Sequence, residues 1–360
     1  MEQPLTDKRN YGIDALRIVS MFMIVLLHTL GHGGILSSVN IFSGKYYAAW
    51  LIEIASYCAV NCYALISGYV GINSKYRYSK IVSLWVQIVF YTITITSCFA
   101  VFRPETINRE DWIRAIFPIT KSHYWYLTAY FALFIFMPLL NAAVKNLSKR
   151  ELSRFLTAVI AMFSTIPNIL QADPYKLSFG YSTLWLCILY VLGGFIKRYD
   201  VFSSIGKIKA LLIYALCILI TWGSKIVISK ITLNVYGEIR YDNTLVQYNS
   251  PTIIFASIIL LIFFSKLEFR LTAIKKLISL LAAASLGVYI IHENFLIRTR
   301  YIFGYSKSFA DGSTIVMAIK VIVAAAAIYL GCSVIETVRI QLFKVLRINK
   351  IIGRIDKRGL

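Results

Sequence analysis

Ten mostly apolar stretches recur along the chain, near residues 15–35, 48–71, 80–102, 123–145, 151–170, 182–199, 206–229, 249–266, 277–298 and 314–340. A helix rises about 1.5 Å per residue, so about 20 such residues cross the ~30 Å hydrocarbon core of a bilayer. Inside that core each backbone N–H and C=O must find a partner within the protein. The expected fold is therefore all-α: a polytopic integral membrane helical bundle of about ten transmembrane helices. Composition agrees. The 360 residues are 58% hydrophobic and 15% charged, with a mean hydropathy of +0.68. Soluble domains are about 45–50% apolar, so a soluble class is excluded. The spans run through nearly the whole chain, which predicts one transmembrane domain over residues 1–360 with no appended soluble domain. Residues 105–121 read as a short interfacial segment, with Trp112, Ile113, Ile116 and Phe117 forming one apolar face.

The net charge of +21 would point to nucleic acid in a soluble protein. Here the lysines and arginines sort by side. Lys8, Arg9, Lys75, Arg77, Lys80 and the clusters after spans four, six, eight and ten fall on one side. That side holds about twice as many cations as the other. The bias places both termini in the cytoplasm and removes nucleic acid from the expected partners. Lys225 counts as an outer loop cation in this scheme. The first span does not resemble a signal peptide: it is long, carries Arg17 and His28, and ends in Gly-His-Gly-Gly without a small-residue cleavage site. The six cysteines lie in or beside spans without metal-like spacing, so neither a disulfide framework nor a metal site is expected.

Arg17 and His28 share the first span. Eleven residues at 100° each make three turns plus about 20°, so both lie on one helix face, roughly 16 Å apart along the axis. Ionisable groups in a bilayer are costly and usually functional. Topology places Arg17 near the inner surface and His28 past the midpoint. The other histidines fall toward the outer side: His32 just beyond the span, His123 at the start of span four, and His292 in the outer half of span nine. Glu53 opens span two at the outer side. His28, His123, His292 and Glu53 thus share a depth from four helices, and read as candidate catalytic groups. An imidazole is the usual general base near neutral pH, and a carboxylate can orient it. For each, the plainer reading stands alongside: a histidine bonded to a carbonyl between helices, or an interfacial group facing water. His32 reads as a loop residue.

At the inner end Asp14 and Arg17 can pair at i, i+3. Arg17 also offers a fork suited to phosphate, and Arg77 and Lys80 lie near the same surface, so a polyanion is a candidate ligand there. Simple anchoring to anionic lipid explains the loop cations equally. The outer segments 172–181 and 231–248 are rich in Tyr and polar groups, which fits a sugar or an ordinary membrane interface. Lys320 reads as snorkelling, and Glu336 with Arg339 as a helix-end pair.

Six motifs in order resemble one family, the membrane-bound acyltransferases of type 3. They are Gly-Ile-Asp14-Ala-Leu-Arg17 leading into Arg17-x10-His28; Ser67-Gly68-Tyr69 closing span two; His123-Tyr-Trp125-Tyr126-Leu127; Tyr181-Ser-x-x-Trp185-x-x-x-Leu-Tyr190-x-x-Gly193; and Ser285-Leu-Gly-Val-Tyr289-Ile-Ile-His292. The resemblance implies an acyl group, most often acetyl, taken from cytosolic acyl-CoA and placed on a hydroxyl of an envelope glycan. The pattern is most similar to bacterial members that decorate capsule or exopolysaccharide, in the cell membrane. It implies acetyl-CoA contacts at Arg17, Asp14, Arg77 and Lys80, and substrate contacts at Trp125, Tyr126, Tyr181 and Tyr289. His28 would act as general base or as a transient acyl carrier. Some relatives finish the transfer with an extracellular hydrolase-like domain; here the membrane domain is expected to finish it. A homo-oligomer stays open, because interface Gly and Ala also serve packing within the bundle. The competing class is a transporter or flippase of a glycan or lipid-linked sugar. Inverted repeats and paired broken helices would mark it, and neither is visible.

Overall fold

The computed structural model describes residues 9–357, so Lys8 of the inner cluster lies outside the described residues. Among the described residues there are helices and turns and no strand. In chain order, the helices of eight residues or more are α1 (Tyr11–Leu30), α2 (Gly44–Ser56), α3 (Ala59–Gly71), α4 (Tyr78–Phe102), α5 (Arg109–Ile116), α6 (Trp125–Asn146), α7 (Lys149–Ile160), α8 (Thr183–Tyr199), α9 (Lys207–Tyr236), α10 (Pro251–Ser265), α11 (Thr272–His292) and α12 (Thr314–Val345). Six of them start where a side chain satisfies a free first-turn N–H group. Asn10 accepts from the N–H groups of Gly12 and Ile13 at 2.8 and 3.2 Å, and Ser182 accepts from Trp185 N at 3.2 Å. Asn108 with Asp111 and Ser148 with Glu151 form reciprocal capping boxes.

Each of the ten expected spans carries a helix, and eight helical segments are long and apolar enough to cross a membrane. The other two, α8 and α10, have 17 and 15 residues. That is about 25 and 22 Å, short of the ~30 Å core. Both are buried on nearly all sides. They form the middle of the bundle, where neighbouring helices take the place of lipid. The second span is broken between α2 and α3. The interfacial segment is α5, which docks on α4 where Thr92 Oγ1 donates to the Ala115 carbonyl at 2.6 Å. It buries Asp111 and Ala115 and leaves Ile116 and Phe117 exposed, as a helix at a membrane surface does.

Two glycines of the sequence motifs set the closest helix crossing. A Cβ on Gly68 of α3 would collide with the Tyr190 backbone of α8, and a Cβ on Gly193 of α8 would collide with the Leu65 backbone of α3. The same helix α3 carries the buried Asn61, whose Nδ2 donates to the Tyr248 carbonyl at 2.7 Å and whose Oδ1 accepts from Trp185 Nε1 at 3.2 Å. Elsewhere Glu336 is more than half of a helix-end pair. Fully buried on α12, it pairs with Arg339 and also accepts from Gln87 Nε2 at 3.0 Å and Tyr91 OH at 2.6 Å on α4. It lies directly over Gly287 of α11.

Candidate functional site

Helix α1 packs against α11, and the contact brings His28 to His292. Their Nδ1 and Nε2 atoms are 2.9 Å apart. His292 Nδ1 lies 2.6 Å from the Val288 carbonyl oxygen, one turn back on its own helix. A carbonyl only accepts, so His292 Nδ1 carries the proton and its Nε2 is an acceptor. His28 Nδ1 must then be the donor. That leaves the lone pair of His28 Nε2 free, which is the state a general base or nucleophile requires. Glu293 follows directly at the end of α11, and its Oε2 stands 3.1 Å from His28 Nδ1 and 3.8 Å from His32 Nε2. Its Oε1 pairs with Arg298. The carboxylate is 7% exposed, so its charge acts on the imidazole with little screening by water. His28, His292 and Glu293 also bring three ligating atoms within 4.8 Å of one another, close enough to share one ion. The His28–His292 contact is a hydrogen bond, whereas Glu293 Oε2 has no hydrogen-bond partner.

His123 does not touch His28. Its Nε2 accepts from the Phe295 backbone N–H at 3.0 Å. The adjacent Tyr124 OH donates to the Ile290 carbonyl at 2.8 Å and accepts from Asn294 Nδ2 at 3.2 Å. Together they fix the turn 293–295 and so the position of the Glu293 carboxylate. The His123 side chain is half-buried, and its buried Nδ1 has no hydrogen-bond partner.

Two adjoining cavities reach this centre. The larger, about 460 Å³, is lined at one end by Arg17, Lys75, Arg77 and Lys80 and at the other by Tyr63, Tyr126 and Leu286. The smaller, about 40 Å³, is lined by His28, Trp125 and Tyr289 and by the same Tyr63, Tyr126 and Leu286. The two therefore meet at those three side chains. Arg17 Nη1 is 2.6 Å from Asp14 Oδ1, while Arg9 Nε holds the other carboxylate oxygen at 2.7 Å. Asp14 is buried behind Arg17 and away from the larger cavity, so it aims the guanidinium. Tyr63 OH donates to the Arg17 carbonyl at 2.8 Å, which ties α3 to α1 at the junction.

Glu53 is elsewhere. It lines an outer-end pocket of about 620 Å³ with Trp50, Tyr57, Tyr181 and Gln247. An aromatic layer separates that pocket from His28: the Tyr57–Tyr248, Tyr181–Tyr248 and Trp125–Tyr181 ring centroids are 4.9, 4.7 and 4.5 Å apart. Lys225 is no loop cation. It is 1% exposed within α9, and its Nζ bonds Asp242 Oδ2 at 2.7 Å and Asn243 Oδ1 at 2.9 Å. The structure thus unites His28 with His292, and Arg17 with Arg77 and Lys80. Trp125, Tyr126 and Tyr289 line the His28 cavity, and Tyr181 stands one ring further out. Glu293, Tyr63 and Tyr248 were not singled out from the sequence. The signal for Glu293 was a carboxylate directly after His292 inside the expected span 277–298.

A histidine pair between α1 and α11, backed by a carboxylate and joined through adjoining cavities to a basic cluster, lies inside this helical membrane protein. The family profile described as an acyltransferase domain matches residues 10–336, and the chain belongs to that family. It is a membrane acyltransferase. No curated protein and no solved structure matches it.

Proposed function

We propose that the protein is an O-acyltransferase that moves an acyl group, acetyl above all, from cytosolic acyl-CoA to a hydroxyl of a bacterial envelope glycan such as capsule or exopolysaccharide. The observation that carries this reading is the junction of the two cavities at Tyr63, Tyr126 and Leu286, which links the Arg17 cluster to His28. The basic end faces the cytoplasm, following the charge bias. There Arg17, Lys75, Arg77 and Lys80 hold the donor phosphates, Arg17 through a planar fork that Asp14 orients. The pantetheine arm extends along α1, and the thioester reaches His28.

His28 Nε2 takes the proton from the acceptor hydroxyl as its oxygen attacks the thioester carbonyl. The imidazolium that forms keeps its Nδ1–H on His292 and faces the Glu293 carboxylate, which stabilises the new positive charge. The C–S bond then breaks, and His28 returns the proton to the leaving thiolate, giving free CoA and the ester. The buried Tyr289 hydroxyl has no partner within the protein and lines the His28 cavity. It is placed to donate to the carbonyl oxygen as negative charge develops there. Trp125 and Tyr126 form the remaining walls around the acyl group.

The test uses proteoliposomes, labelled acetyl-CoA and envelope glycan. The label is expected on the glycan with wild-type protein and is lost in both Arg17→Ala and His28→Ala. Movement of glycan across the vesicle without CoA release would instead make the protein a transporter.

A further inference from the structure

The pocket around Glu53 lies outside the proposed acyl path and is lined by residues with three unanswered polar atoms. Glu53 is 7% exposed, and its Oε2 is buried without a hydrogen-bond partner; Gln247 Oε1 and the donor Trp50 Nε1 are also buried without one. Unpaired buried polar atoms are costly, so three around one pocket point to a ligand that both donates and accepts hydrogen bonds. Trp50, Tyr57 and Tyr181 give the pocket aromatic faces, and Asn243 adds an amide. At about 620 Å³ the pocket lies in the range of small-molecule sites.

Its charge narrows the ligand. The acidic groups that line it are Glu53 and Asp173, and no Lys or Arg does. Asp173 is engaged by the backbone N–H groups of Leu177 and Ser178 at 2.8 and 2.7 Å. The nearest cation of the surrounding helices, Lys225, is spent on Asp242, Asn243 and the Trp50 ring, whose centroid lies 3.5 Å from Nζ. A phosphate or uronate would lose its water here against Glu53 with no cation in return. Hydroxyl groups that donate to carboxylate and amide oxygens, on a ring that stacks on aromatic faces, fit every feature.

We infer that this pocket is a recognition subsite for a neutral saccharide residue of the acceptor, set one aromatic layer away from His28. The inference deepens the acyl-transfer reading and rests on it for the need of an acceptor. The sugar in this subsite is a neighbour of the one that is acylated. The Tyr57–Tyr181–Tyr248–Trp125 layer stands between the two.

The experiment places the full-length protein in lipid nanodiscs with a fluorescent belt on an array of neutral and acidic glycans. Maltoside detergent is avoided because its sugar headgroup would compete. Wild type is expected to bind neutral glycans. Glu53→Gln and Gln247→Leu are each expected to weaken that binding about tenfold, the loss of about one hydrogen bond. Unchanged thermal melting of at least one variant shows that the loss is local. Binding confined to acidic glycans, no glycan binding at all, or neutral binding untouched in both variants overturns the inference. CoA release measured on the same samples separates the two proposals. Absent turnover with neutral-glycan binding intact refutes acyl transfer alone.

Discussion

Glu293→Gln removes one charge from the centre and leaves its shape. In the wild type the carboxylate oxygen stands 3.1 Å from His28 Nδ1. A full positive charge on the imidazole at that separation interacts with it by about 5 kcal/mol at an effective dielectric of about 20. About half of the proton's charge has arrived in the transition state, which brings the loss to about 2.5 kcal/mol, or about a hundredfold in kcat. The variant also frees the Arg298 charge, which pairs with Glu293 and would then oppose the imidazolium. The assay is stopped-flow CoA release from proteoliposomes under single-turnover conditions, with donor affinity measured separately. The donor end lies in the other cavity, so donor KM should hold while kcat falls. A folded variant whose kcat stays within about twofold of wild type would refute the assignment of His28 as base with Glu293 behind it.

Arg17→Lys keeps the charge and loses the fork, so donor KM should rise about tenfold while kcat changes little; an unchanged KM in steady-state assays contradicts phosphate binding at Arg17. Gly287→Ala places a methyl against the buried Glu336 carboxylate, and overpacking of this kind costs about 1–3 kcal/mol. A melting temperature equal to wild type would count against that packing. Asp356 accepts from Ser79 N at 3.0 Å and Ser79 Oγ at 2.5 Å, and these bonds hold its carboxyl below the usual 3.8. Because the folded value is the lower one, the contact is at full strength above the usual value and is lost as pH falls through the lowered one. The protection factor of the segment 348–357 against hydrogen exchange should therefore fall in acid, and at neutral pH in Asp356→Asn; equal protection in Asp356→Asn and wild type excludes this tether.

The helical bundle was legible because a bilayer demands long apolar runs, and the Arg17–His28 stripe was legible because helical spacing is fixed. Pairing across helices was not. Depth alone grouped His28, His123, His292 and Glu53, yet only rotation about each helix axis decides which of them meet. The structure turns His292 toward His28 and gives His123 to the Phe295 N–H. It turns Glu53 into a pocket of its own. Glu293 went unnoticed although it lies inside the expected run 277–298, because the sequence does not show that the helix ends at His292 and that its carboxylate there comes close to His28. The two short helices were hidden for a related reason. An apolar run of 15–17 residues looks the same whether it spans lipid or is sheathed by other helices.

The aromatic layer between Glu53's pocket and His28 carries an electrical consequence. The basic cavity and the Glu53 pocket approach this layer of rings from opposite ends of the bundle, so a membrane voltage carried into both by water would fall across the layer. Moving one elementary charge through it takes about 2.3 kcal/mol per 100 mV. In the proposed reaction an acyl cation equivalent travels outward from the thioester while a proton travels inward from the hydroxyl to the thiolate. The two displacements cancel. The partition can then insulate the membrane against ion leak while the transfer proceeds at a rate that the voltage does not touch.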